Sequence, residues 1–193
     1  MHIKQEKVKK ISKILSYVFF VFYWLGYGLT ALGCLAYLVQ FFLPEALFQL
    51  KGGAMGFTVD NTLYFDTAQN SSINVRSLIQ TLTPFAIVIL VMLLVGIKQV
   101  MEILKSVAQD NPFAPENASK LFIIGFDLLI ASVFVSIAKC VSYAMLIKLF
   151  ALSEISVNFS VNPTLLMAGF LILILAGVFQ YGNYLKNEYD ATI

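Results

Sequence analysis

Charge is what this sequence has least of. Asp, Glu, Lys and Arg make up 12% of its 193 residues, against about 25% in an ordinary soluble domain. Hydrophobic residues reach 59% and the mean hydropathy is +0.82. That leaves too little polar side chain to cover a water-facing surface, so the composition places the chain among membrane proteins. Histidine is nearly absent too, with His2 alone. That excludes a Ser/His/Asp set and the H-E-x-x-H zinc signature. No phosphate-binding glycine loop and no carboxylate cluster with metal-ligand spacing is present either. The chain is therefore read as a non-enzyme with no cofactor.

Cysteine is also scarce. Cys34 and Cys140 each sit inside an apolar run, and neither has a second cysteine at C-x-x-C spacing. Thiol–disulfide chemistry needs paired, exposed thiols of low pKa, so both are read as small packing residues. A net charge of only +2 provides no basic face for nucleic acid, and direct nucleic-acid binding is not expected.

What the sequence does have is long apolar runs. Four of them, about residues 16–43, 78–100, 121–147 and 164–185, each supply the roughly 20 residues that cross about 30 Å of hydrocarbon. Pro44 follows the first run, and Pro163 opens the last at a position where proline suits a helix start. The basic opening resembles a signal peptide, but the apolar stretch after it is too long for one, so it is read as a retained first span. The expectation is one membrane domain, residues 1–193, an all-α transmembrane four-helix bundle.

Orientation follows from lysine and arginine in the flanks. Lys4, Lys7, Lys9, Lys10 and Lys13 precede the first span, Lys98, Lys105 and Lys120 lie around the second connection, and Lys186 follows the fourth span. The opposite side holds only Lys51, Arg76 and Lys148. This bias predicts a multi-pass protein of the cell membrane with both termini cytoplasmic. Residues 44–77 and 148–163 are then outer segments, and 101–120 is an inner loop.

The outer segments carry β signals. Phe57-Thr58-Val59 and Leu63-Tyr64-Phe65 flank Asp60-Asn61-Thr62 after the helix-breaking Gly52, Gly53 and Gly56, the pattern of a hairpin. In the second segment Ile155, Val157, Phe159 and Val161 alternate with Ser156, Asn158 and Ser160, a period of two that predicts a half-buried strand. Three strands from two loops would make a small extracytoplasmic β cap, which an isolated hairpin hardly sustains.

Polar residues inside the spans are candidates for function by default. Asp127 and Lys139 lie twelve residues apart on the third span, roughly 18 Å along a helix, too far to pair. Ser132, Ser136, Lys139 and Tyr143 recur at helical spacing and form one stripe. Such a stripe serves either helix packing, where serine permits close approach and hydrogen bonding, or a wetted path. The lysine-rich start reads as a topogenic flank that binds anionic lipid, with Ile3, Val8, Ile11 and Ile14 supporting a short interfacial helix.

The inner loop centres on Asp110-Asn111-Pro112-Phe113-Ala114-Pro115-Glu116-Asn117, followed by Leu121 and Ile124-Gly125. Pro115 suits the first turn of the third helix and Glu116 complements its dipole. With Ser156-Val157-Asn158-Phe159-Ser160-Val161-Asn162-Pro163, and with Val178-Phe179, Gly182, Leu185 and the ending Glu188-Tyr189-Asp190-Ala191-Thr192-Ile193, these segments resemble a family of small bacterial four-span membrane proteins. That family is catalogued as a domain of unknown function. Its members are often encoded beside a small helix-turn-helix regulator. The resemblance implies a membrane-side role in a regulatory pair and no catalytic residues. Many relatives have arginines after the motif's asparagine, where this chain has only Lys120.

Two functions stand against each other. The leading one is a sensory or regulatory accessory embedded in the bilayer. It would meet a cytoplasmic partner, a helix-turn-helix regulator or another membrane protein, through Asn111, Phe113, Glu116, Asn117, Glu188 and Asp190. The alternative is a small transporter, channel or immunity-type protein that handles a compound in the bilayer and uses Asp127, Ser132, Ser136, Lys139 and Tyr143 as its lining. The topology is directly checkable. Single cysteines placed at Lys7, Asn70, Glu116, Glu154 and Asp190 in a cysteine-free background should react with an impermeant maleimide from outside only at positions 70 and 154. External labelling at 116 would reverse the orientation.

Overall fold

The computed structural model describes residues 2–50, 56–59, 63–66, 73–149 and 157–191. Four helices dominate it: α1 (His2–Val39), α2 (Arg76–Ala108), α3 (Pro115–Leu149) and α4 (Pro163–Ala191). All four are long and apolar enough to cross a membrane. At about 1.5 Å per residue they measure roughly 45–55 Å, well beyond the hydrocarbon thickness. Their ends therefore project past the apolar runs. The lysine-rich start is continuous with α1, and only residues 109–114 remain between α2 and α3.

Local chemistry sets the helix ends. α3 opens on Pro115 with Glu116 in its first turn, where a missing amide hydrogen costs nothing and an anion meets the positive end of the dipole. α4 opens on Pro163 behind Asn162, whose Oδ1 accepts from the Thr164 and Leu165 amides at 3.1 and 3.2 Å, an N-cap. α2 ends as Asp110 turns to a positive φ of 63°, the left-handed step that closes many helices and that Asp tolerates better than most residues. At the far end of the bundle, Arg76 ties α2 to the end of α1. Its Nη2 donates to the Gln40 and Phe41 carbonyls at 3.2 and 3.4 Å, and its guanidinium lies over the Phe48 ring. A cation at those carbonyls satisfies groups that a helix end leaves open.

The helices pack in chain order, α1 on α2, α2 on α3 and α3 on α4. α3 is accordingly the most enclosed, and the described core gathers Leu121 and Ile124 of α3 with Ala176 of α4. α1 presents most of its apolar side chains outward, Leu25, Leu29 and Leu32 among them. In lipid this is no penalty, because hydrocarbon solvates leucine as well as a protein core does. Association then depends on close approach, and the α3–α4 crossing provides it. A Cβ added to Gly125 would lie 3.2 Å from the Gly169 carbonyl, and one added to Gly169 would lie 3.0 Å from the Gly125 carbonyl.

The first outer segment holds a short 3-10 turn, Glu45–Phe48, and four strands. β1 (Gln49–Leu50) pairs antiparallel with β4 (Ile73–Asn74), and β2 (Gly56–Val59) with β3 (Leu63–Asp66), in the register Phe57 to Phe65 and Val59 to Leu63. The expected cap uniting both outer segments is not formed among the described residues. Residues 157–162 carry no strand. Two of their backbone groups meet α3 instead. The Asn162 amide donates to Ser136 Oγ at 3.0 Å, and Cys140 Sγ faces the Asn158 carbonyl at 3.8 Å. The alternation does not become a covered face here, because Phe159 and Val161 are both exposed; the segment is held to α3 through its backbone groups. Gly52, Gly53, Asp60-Asn61-Thr62, Ile155 and Ser156 lie outside the described residues.

The crossing yields a stability prediction. Gly125→Ala or Gly169→Ala should lower the melting temperature in detergent, by about 1–3 kcal/mol in stability, since backbone cannot yield as a side chain can. Gly28→Ala, where an added Cβ meets nothing within 4 Å, should change stability by no more than about 0.5 kcal/mol. Equal effects at the two kinds of site would refute a Gly–Gly crossing.

Candidate functional site

The Asp110–Asn117 motif folds into a tight connection around one side chain. Asn117 is fully buried, in the first turn of α3. Its Nδ2 donates to Ser106 Oγ at 3.0 Å, to the Asn111 carbonyl at 3.3 Å and to the Pro112 carbonyl at 3.0 Å. Ser106 Oγ in turn donates to the Asn111 carbonyl at 2.7 Å, and the Asn111 amide returns to the Ser106 carbonyl at 3.1 Å. The carboxamide has one workable orientation, because turning it over would set its oxygen against three acceptors. Its Oδ1 is buried without a hydrogen-bond partner among the described residues.

The rest of the loop reaches the other two helices. Asp110 forms an ion pair with Lys9 of α1. Asn111 Oδ1 accepts from Lys186 Nζ of α4 at 3.2 Å. Phe113 lays its ring against α4, 5.4 Å from Phe179 between centroids and over Gly182, where an added Cβ would lie 2.9 Å from the ring. Beside it, Lys120 of α3 and Glu102 of α2 pair at 3.4 Å. Six residues of loop thus contact the ends of all four helices.

Of the residues proposed from sequence, Asn111, Phe113 and Asn117 are engaged within the molecule. Phe113 still leaves 42% of its surface open. Glu116 and Glu188 are exposed, at the same end of the bundle, with Glu188 accepting from the Tyr184 hydroxyl at 3.0 Å. The Asp190 side chain, Thr192 and Ile193 lie outside the described residues. The second candidate set sits deeper. Ser132 and Ser136 are buried and donate to the Leu129 and Ser132 carbonyls at 2.7 Å each. Ser136 also accepts from the start of α4, as above. Asp127 is half-buried against Gly96 of α2, Lys139 is exposed and Tyr143 is half-buried. The stripe therefore divides between helix contacts and an open side.

With this geometry in view, the sequence model of one family, described as a protein of unknown function (DUF2975), matches residues 24–193. The chain belongs to the DUF2975 family. That span takes in the second part of α1, from Trp24 onward, and all of the loop, the α3–α4 crossing and the C-terminal helix. No curated protein and no solved structure matches the chain. For this DUF2975 chain the family description names no function, and the membrane frame comes from its four apolar helices.

Sequence reading missed several partners of the loop: Ser106, Lys9, Gly182 and Lys186. None carries a local signal, because each becomes a partner only when a distant helix end arrives beside it. Cys34 and Cys140 are both free, and they stand on helices that are not principal neighbours. Asn117→Ala should lower stability by about 1–3 kcal/mol, the cost of leaving buried acceptors unpaired. Ser106→Ala should cost less, and the double variant less than the sum of the two singles. Additive losses would show that the two side chains do not act as one unit.

Proposed function

We propose that this protein is a non-enzymatic regulatory accessory of the membrane, which couples the arrangement of its four helices to a soluble partner at the end where the termini and the 109–114 loop lie. The observation that carries this reading is the loop's attachment to all four helices. A shift of any helix would pull on the same short segment, through Lys9, Ser106, Asn117 or Lys186. Such a segment converts movement within the bilayer into a changed surface outside it. The exposed groups beside it, Glu116, Glu188 and the open edge of Phe113, form the surface a partner would meet. With both termini cytoplasmic, as the lysine bias favours, that partner is cytoplasmic. A transport role draws less support, because Ser132 and Ser136 are engaged by helix backbone and by the start of α4.

Crosslinking in native membranes followed by purification of the tagged chain tests the reading. A charge-reversed variant, Glu116→Lys with Glu188→Lys, should keep wild-type level and melting temperature and recover at least fivefold less partner. Unchanged recovery would move the interaction elsewhere. Absence of any partner with wild-type protein, together with solute flux in proteoliposomes that Ser136→Ala abolishes, would favour transport instead.

A further inference from the structure

An open cleft of about 510 Å³ lies between α1 and α2 at the end of the bundle that carries the termini. α1 contributes Lys13, Tyr17 and Phe20, α2 contributes Lys105, and Gln109 comes from the start of the loop. Its position along α1 is informative. Lys13 precedes the first apolar run by less than a turn, and Phe20 lies one turn inside it. The cleft therefore straddles the polar edge of the bilayer, with ammonium groups at headgroup level and an aromatic ring at acyl level.

The charge of the cleft is one-sided. No carboxylate is among its lining residues. Lys9 is occupied by Asp110 and Lys120 by Glu102, whereas among the described residues neither Lys13 nor Lys105 has a carboxylate partner. Two ammonium groups on separate helices, with a phenol and a carboxamide able to donate beside them, complement a phosphate diester. Below them Phe20, Val21 and Trp24 are exposed on α1, giving acyl chains an apolar surface continuous with the cleft. A free inorganic anion would use the upper half only. We propose that this cleft is a binding site for the phosphate headgroup of an anionic phospholipid from the leaflet at which the termini lie. Basic pockets between membrane helices take lipid phosphates through these groups. The proposal is independent of the regulatory reading above.

The test uses the full-length chain, purified in a neutral detergent and titrated with phosphatidylglycerol or phosphatidylcholine while bound lipid is counted by native mass spectrometry. Wild type should prefer phosphatidylglycerol. Lys13→Gln with Lys105→Gln should weaken that binding at least tenfold. Lys7→Gln with Lys10→Gln removes the same charge outside the cleft and should weaken it less than threefold. Both lysines are exposed, so lipid-free melting temperatures should match wild type, and the single variant Lys105→Gln gives the same comparison if the double variant does not fold. Equal losses from the two double variants would reduce the effect to general charge attraction and overturn the site. So would undiminished binding by the cleft variant. Displacement of the lipid by millimolar inorganic phosphate, or by a glutamate-rich peptide, would assign the cleft to a soluble anion or an acidic partner and overturn the lipid assignment.

Discussion

One buried carboxamide holds the polar end of this molecule together. Asn117 gathers the last turn of α2, the loop and the first turn of α3 by donating to oxygens from Ser106, Asn111 and Pro112. Without it the Pro112 carbonyl would lose its donor, and the Asn111 carbonyl would keep only Ser106 Oγ and the Ala114 amide, so the turn would be held less firmly. Its consequences spread outward. Because the loop is held, Asp110 meets Lys9, Asn111 meets Lys186 and Phe113 covers Gly182. The attachments to α1 and α4 thus depend on a bond network between α2 and α3.

Deeper in the bundle a different constraint operates. Apolar side chains gain little by leaving lipid for one another, so helix pairs are set by fit and by polar contacts. α3 and α4 solve this twice. Gly125 and Gly169 let the backbones approach, and one helix turn or more away Ser136 receives the Asn162 amide that begins α4. The two devices fix both the spacing of the pair and its register. α1 has neither kind of contact with α3 or α4 among those described. It rests on α2 and on its two end attachments, Lys9 at one end and the carbonyls held by Arg76 at the other.

Much of this was legible in the residues. The four spans follow from hydropathy, and the start of α3 at Pro115 and of α4 at Pro163 follow from proline chemistry. The spacing of Ser132 and Ser136 put them on one face of α3, with packing and a wetted path both open. The motif around Asn117 also stood out, but as a surface for something else. Its asparagine, proposed from sequence as a partner contact, is fully buried in the first turn of α3 and bonded to Ser106, Asn111 and Pro112. The β cap failed for a related reason. Alternation is a local pattern and does not say whether a strand lies alongside to pair with; among residues 157–162 Phe159 and Val161 are exposed, and the Asn162 amide goes to Ser136 of α3.

The sequence by itself determined that the chain is a multi-pass membrane protein, which segments cross and where proline starts a helix. Each of these depends on free energies local to a segment: transfer of some 20 apolar residues, or the fixed φ of one proline. The tertiary structure alone decided which side chains meet. Lys9 and Asp110, Asn111 and Lys186, Phe113 and Gly182, and the lysines of the α1–α2 cleft come from distant parts of the chain. Their contacts exist only once helix crossings have set the ends side by side. No local pattern encodes such contacts, because a hydrogen bond or an ion pair is satisfied by any partner of the right chemistry, and geometry selects which one is near.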